Sequence, residues 1–207
     1  LALLNAKDLV KIVEWNYEND VEVFRMGSGI FPWGTEYDLR DLPDYDEISD
    51  TLKLAGDLAT FRDQRITAHP DHFVKLGSTK DKVVDNSIKD LELHSAVFDL
   101  MGLSATPYNA INIHVGMNFS EETAERWVSN FKRLSPNLQA RMVVENDDKQ
   151  SAFSVKQLHR HIYKQIYIPI TFDYFHHEFH RDGLTTFEAA VLAASTWPED
   201  ITPLFHY

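Results

Sequence analysis

Short β-prone runs recur along this chain, each followed by a longer segment whose apolar residues fall at helical spacing. The runs are Val21–Phe24, Arg65–Ala68, Ala110–Val115, Arg141–Glu145, Tyr167–Phe172 and Pro203–Tyr207. Between them lie patterns such as Leu52, Leu54, Ala55, Leu58 and Phe61, or Ala124, Trp127, Val128, Phe131 and Leu134. Ser120 before Glu121 and Glu122, and Ser154 before Val155, read as helix N-caps. A strand-helix alternation of this kind argues for right-handed βαβ units and a parallel sheet. No Gly-rich phosphate fingerprint follows the first strand, so the α/β fold expected is a TIM (β/α) barrel rather than a dinucleotide-binding sheet. A complete barrel has eight strands. The expectation is therefore one barrel domain over residues 1–207, incomplete at both ends, because Leu204-Phe205-His206-Tyr207 reads as the middle of a buried strand.

Composition narrows the chemistry. The chain has ten His and no Cys, which excludes a disulfide framework, thiolate metal sites, Fe–S clusters and a Cys nucleophile. A formal charge of −12 removes the bulk basicity usual in nucleic-acid binders, so any DNA partner must be held by a local patch or by bound cations. No apolar run reaches the roughly 18 residues of a membrane span, and Leu1–Lys11 lacks the regions of a signal peptide.

In a (β/α) barrel the chemistry gathers at the C-terminal strand ends. The polar residues at those places are Arg25 and Ser28, then His69, His114, Glu145, Asp173 with His176, and His206. Each has an ordinary reading: His69 before Pro70 as a turn residue, His114 as a core imidazole, Glu145 as a loop-start carboxylate. Successive strands delivering imidazole and carboxylate to one rim are what a multinuclear metal site needs. Asp173 and His176, at i and i+3 as the chain leaves a strand, can aim at one ion. His72 reads as a substrate contact rather than a ligand. His159, His161 and His180 read as surface residues, and His94 as helix packing or capping. Trp15, Trp127, Phe98, Phe131 and Phe187 read as core aromatics.

The segments Phe24-Arg25-Met26-Gly27-Ser28, Ala68-His69-Pro70-Asp71-His72-Phe73-Val74, Ile113-His114-Val115-Gly116, Val144-Glu145-Asn146-Asp147 and Phe172-Asp173-Tyr174-Phe175-His176-His177 together resemble the ultraviolet-damage endonucleases. Trp197-Pro198 and Pro203-Leu204-Phe205-His206-Tyr207 fit as well. These are metal-dependent barrels of the xylose isomerase-like superfamily. The resemblance implies incision of DNA immediately 5′ to ultraviolet photoproducts by metal-activated water. It implies His69, His114, Glu145, Asp173, His176 and His206 as metal ligands, with Glu145 bridging, and Glu145, His114 and Asp173 as the catalytic set. The implied cofactor is a cluster of up to three divalent ions, manganese foremost, with zinc, magnesium or cobalt as alternatives. DNA and lesion contacts fall to His72, Phe73, Arg25, Ser28 and His177. The implied partner is double-stranded DNA carrying ultraviolet lesions, bound by a monomer in the nucleoid or nucleus.

The chain departs from the family pattern at two positions. His72 stands where the family commonly has Gln, and Leu204 where it often has Lys. The resemblance also expects a strand before residue 1 and further His and Glu ligands after residue 207. Two other functions compete: a metal-dependent sugar or hydroxy-acid isomerase on the same barrel, and a non-catalytic binding derivative.

Overall fold

The computed structural model describes residues 1–207. Strands and helices alternate: α1 (Ala2–Glu18), β1 (Val23–Met26), α2 (Tyr45–Phe61), β2 (Arg65–Ala68), α3 (Asp81–Leu100), β3 (Ile111–His114), α4 (Glu121–Phe131), α5 (Pro136–Arg141) and β4 (Met142–Glu145). Then come α6 (Val155–Leu158), a π-helical turn (His159–Tyr163), α7 (Lys164–Ile166), β5 (Ile170–Asp173), α8 (Tyr174–Phe179), α9 (Thr186–Ala194) and β6 (Phe205–His206). The six strands pair in sequence order, all parallel. The sheet curls as an incomplete barrel does, with β1 and β6 as its two edges. No helix is long and apolar enough to cross a membrane.

All four residues of β2, of β4 and of β5 are buried, as expected where helices cover one face of a parallel sheet and the barrel interior the other. This explains why those strands show apolar runs rather than strict alternation. The helices bury one stripe each: Ala6, Leu9, Val13 and Asn16 on α1, and Ile48, Leu52, Ala55, Gly56 and Ala59 on α2. Gly56 is required there, because a Cβ would overlap the Met101 carbonyl. Both expected caps are present. The Ser120 hydroxyl accepts from Thr123 N–H at 3.1 Å, and Ser154 forms a reciprocal capping box with Gln157.

Several boundaries and burials differ from the sequence reading. β1 and β5 begin later than expected, β5 because Tyr167 takes a left-handed φ of 56° that ends α7. Trp127, Phe98 and Phe131 are buried, whereas Trp15 is 58% and Phe187 77% exposed. Trp15 lies off the stripe that α1 buries, and α9 buries the small residues Ala189 and Ala193 instead of Phe187.

Two buried arginines pin the N-terminal side of the sheet. Arg65, which opens β2, donates to the carbonyls of Tyr108 (2.7 Å), Pro107 (3.1 Å) and Thr202 (2.7 Å). Arg141, just before β4, donates to Asp99 (2.7 Å) and to the Leu103 carbonyl (2.7 Å). Both satisfy orphan carbonyls and leave the opposite rim to the histidines.

Candidate functional site

Parallel register assembles the site. His114 lies directly beside Glu145 across β3 and β4, and Asp173 beside His206 across β5 and β6. His69 follows the last residue of β2. Four imidazoles therefore surround Glu145, which is 2% exposed. His206 Nδ1 lies 2.9 Å and His69 Nε2 3.4 Å from Glu145 Oε2, while His176 Nδ1 lies 3.5 Å and His114 Nε2 3.7 Å from Oε1. Only the His206 contact is a good hydrogen bond. The longer separations are close to the roughly 3.0–3.4 Å between two ligands of one ion with 2.0–2.1 Å bonds.

Electrostatics follow from this crowding. Burial alone would raise the pKa of Glu145, but hydrogen bonds from His206 and His69, with the charges of His114 and His206, hold it well below the usual carboxylate range. Burial pulls His69 down, yet its hydrogen bond and charge interaction with Glu145 leave it raised. His114 is lowered, first by burial and further by its neighbours His69 and His176. One anionic carboxylate thus faces more imidazoles than it can satisfy.

The ring orientations fit a cation. The Nδ1 of His69 contacts the Pro70 carbonyl at 3.1 Å, and that of His176 contacts the Asn146 carbonyl at 2.9 Å. A carbonyl only accepts, so each Nδ1 carries the proton and each Nε2 keeps a lone pair, the usual arrangement of a metal-ligating His. Donor atoms of His69, His114 and Glu145 lie within 4.8 Å of one another, as do those of Glu145, Asp173 and His206. Glu145 belongs to both groups, as a bridging carboxylate would.

Asp173 has a second task as the N-cap of α8, where Oδ1 accepts from His176 N–H at 2.8 Å. Asn146 locks this corner. Its Oδ1 accepts from Asp173 N–H at 2.9 Å and its Nδ2 donates to the Asp173 carbonyl at 3.0 Å. Asn112, two residues before His114 and 1% exposed, donates Nδ2 to Glu145 Oε2. Neither asparagine stood out in the sequence reading. The available signal was position: Asn112 shares a strand face with His114, since successive side chains alternate.

One expected DNA contact is corrected. His177 is 1% exposed and packs against Phe172 with ring centroids 5.3 Å apart, both ring nitrogens lacking partners. The α8 turn sends His176 to the cleft and its neighbour into the core. His180, expected at the surface, is buried too, and His159 and His161 are half-buried beside Tyr163 and Phe119. His94 is buried on α3, as expected.

An open cleft of about 810 Å³ lies over the imidazoles, lined by Arg25, Ser28, His69, His72, His114 and His176 among others. Exposed His72 and Phe73 stack at its rim, with ring centroids 4.1 Å apart. Leu204 is buried in a small cluster with Ala110, Val143 and Trp197.

A family model described as UV-endonuclease UvdE matches residues 1–207. The chain belongs to the UV-endonuclease family. A relative named UV DNA damage endonuclease from Clostridium perfringens is 30% identical over 95% of this chain and 47% of its own length. A UV-damage endonuclease from Neurospora crassa is 34% identical over 86% of this chain and 27% of its own length. This UV-endonuclease-family chain thus spans about half or less of those two relatives. The crystal structure of SacUVDE superposes with a TM-score of 0.83 at 34% identity, covering 91% of this chain and 63% of that one. A D-psicose 3-epimerase from Clostridium cellulolyticum has a TM-score of 0.64 at 11% identity, covering 92% and 65%, and shares the fold alone.

Proposed function

We propose that this chain carries the incision site of a DNA repair endonuclease that cuts the phosphodiester backbone 5′ to ultraviolet photoproducts. The observation that carries the reading is Glu145, buried and shared between two groups of potential ligands beneath an open cleft. Family membership supplies the substrate class.

His69, His114 and Glu145 hold one divalent ion, and Glu145, Asp173 and His206 a second, with His176 adding a ligand and room for a third. Manganese is the metal we favour. When bound, such ions lower the pKa of a water that attacks phosphorus and offset charge on the phosphate and the leaving oxygen. The remaining work belongs to side chains. Asn112 and Asn146 fix the orientation of Glu145 and of the β5–α8 corner, and the carbonyls of Pro70 and Asn146 fix the His69 and His176 tautomers. Arg25 and Ser28, on the cleft wall, face the DNA backbone. Phe73, 71% exposed, is placed to wedge into a stack that a lesion has weakened, with His72 beside it.

Incubation of the protein and Mn²⁺ with irradiated and unirradiated duplexes tests this reading. It expects a cut 5′ to the lesion that is absent from undamaged DNA and abolished by EDTA. No lesion-dependent cut sinks it, and aldose–ketose conversion instead would move the chain to the isomerase class.

A further inference from the structure

Trp33, in the loop between β1 and α2, is 83% exposed and sits at a φ of 58°, in the left-handed region that side chains with a Cβ avoid. The loop is anchored on both sides of it. Phe31 is buried and its carbonyl accepts from Gly34 N–H at 3.0 Å, while the Trp33 carbonyl accepts from Glu36 N–H at 2.9 Å. The Tyr37 hydroxyl donates to the Pro32 carbonyl at 3.1 Å. Gly34 passes so close to α3 that a side chain there would run into Leu93. The backbone is held and the indole points out.

An isolated exposed apolar side chain needs no explanation. This one is strained, and it shares a recess of about 450 Å³ with Phe73, itself 71% exposed. Ser28 and Asp71 line both the recess and the cleft over the histidines, so the two are continuous. The polar lining decides what fits. Asp71 and Asp90 present carboxylates, and Asp90 Oδ2 is buried without a hydrogen-bond partner, 3.6 Å from His94 Nδ1. Burial also raises the Asp90 pKa. Carboxylates repel phosphate but accept from N–H groups. A planar, uncharged group with π faces and an N–H edge satisfies aromatic walls and acidic lining together, and in DNA that group is a base.

We propose that Trp33 and Phe73 form a two-walled aromatic seat for a nucleobase displaced beside the lesion, making Trp33 a determinant of specificity for damaged DNA. This rests on the DNA-incision reading above. Stacking tolerates any base, so discrimination comes from whether a base is free to leave the helix.

The test is fluorescence anisotropy in Mn²⁺ with a duplex carrying one pyrimidine dimer and a non-hydrolysable linkage 5′ to it, against its undamaged counterpart. Trp33→Ala is expected to weaken binding of the lesion duplex about tenfold or more, the scale of a lost base–aromatic stack, and to leave the undamaged duplex nearly unchanged. Trp33→Phe should restore most of the loss. Wild-type affinity of Trp33→Ala for the lesion duplex, or an equal loss on both duplexes, overturns the proposal. A wild-type protein that neither prefers nor cuts lesion DNA overturns the parent reading, and this one with it. Retained preference in Trp33→Ala removes only the role of Trp33.

Discussion

Asn112 donates its side-chain amide to Oε2 of Glu145, from the strand neighbouring the carboxylate and on the face that His114 shares. A neutral donor at this place steers the carboxylate without competing for its charge. The Asn112→Leu variant keeps a similar volume but removes the donor. Its affinity for Mn²⁺, measured by calorimetry, is expected to fall about 10–100-fold, the usual effect of losing an outer partner of a ligand. Circular dichroism should show the helices intact. An unchanged affinity would remove Asn112 from the metal centre.

Glu145→Gln tests the shared carboxylate. The volume is conserved and the charge is lost, so incision should fall by more than about 100-fold, beyond the effect of outer partners. The number of ions bound per chain should also fall. A variant that cuts as the wild type does would mean that Glu145 bridges nothing.

Loading and stripping the metal gives an independent reading. A ligand present at 100 times its Kd stabilises the folded state by about 2.7 kcal/mol. For a chain of this size that corresponds to roughly 5–10 °C in melting temperature. Differential scanning fluorimetry with Mn²⁺ and with excess EDTA should show this difference, and His206→Ala should shrink it. Equal melting temperatures with and without Mn²⁺ would argue against a resident cation.

His177 predicts a pH dependence of stability unconnected with DNA. Burial depresses its folded pKa below that of the unfolded chain. As pH falls below about 6.5 the unfolded chain takes up a proton that the folded one refuses, so stability is lost with acidification until the folded pKa is reached. Above that pH the group contributes nothing. Urea unfolding of metal-free protein at pH 5.5 and 7.5 should show a smaller acid loss in His177→Leu than in wild type. An identical loss would assign the effect to other histidines.

The strand-helix rhythm, the parallel barrel and the ligand set from His69 to His206 were legible because each depends on local order. A buried parallel strand must be apolar, its C-terminal end must open on one rim, and chemistry carried there leaves polar residues at recurring places. Ser120 and Ser154 were legible for the same reason, since a cap acts within a few residues of itself. What the sequence could not decide is direction and neighbourhood. His176 and His177 are adjacent in the chain, yet the first turn of α8 sends one to the cleft and the other against Phe172. Trp15 and Phe187 sit in helical patterns, but which stripe is buried depends on the partner helix or strand. The placement of Asn112 against Glu145, of Asn146 against Asp173 and of Trp33 beside Phe73 depends on chain register and loop anchoring over separations of 27 to 40 residues. The sequence by itself thus determined which residue types reach the rim. Only the folded sheet, by pairing strands in parallel register, decided which atoms face one another across it.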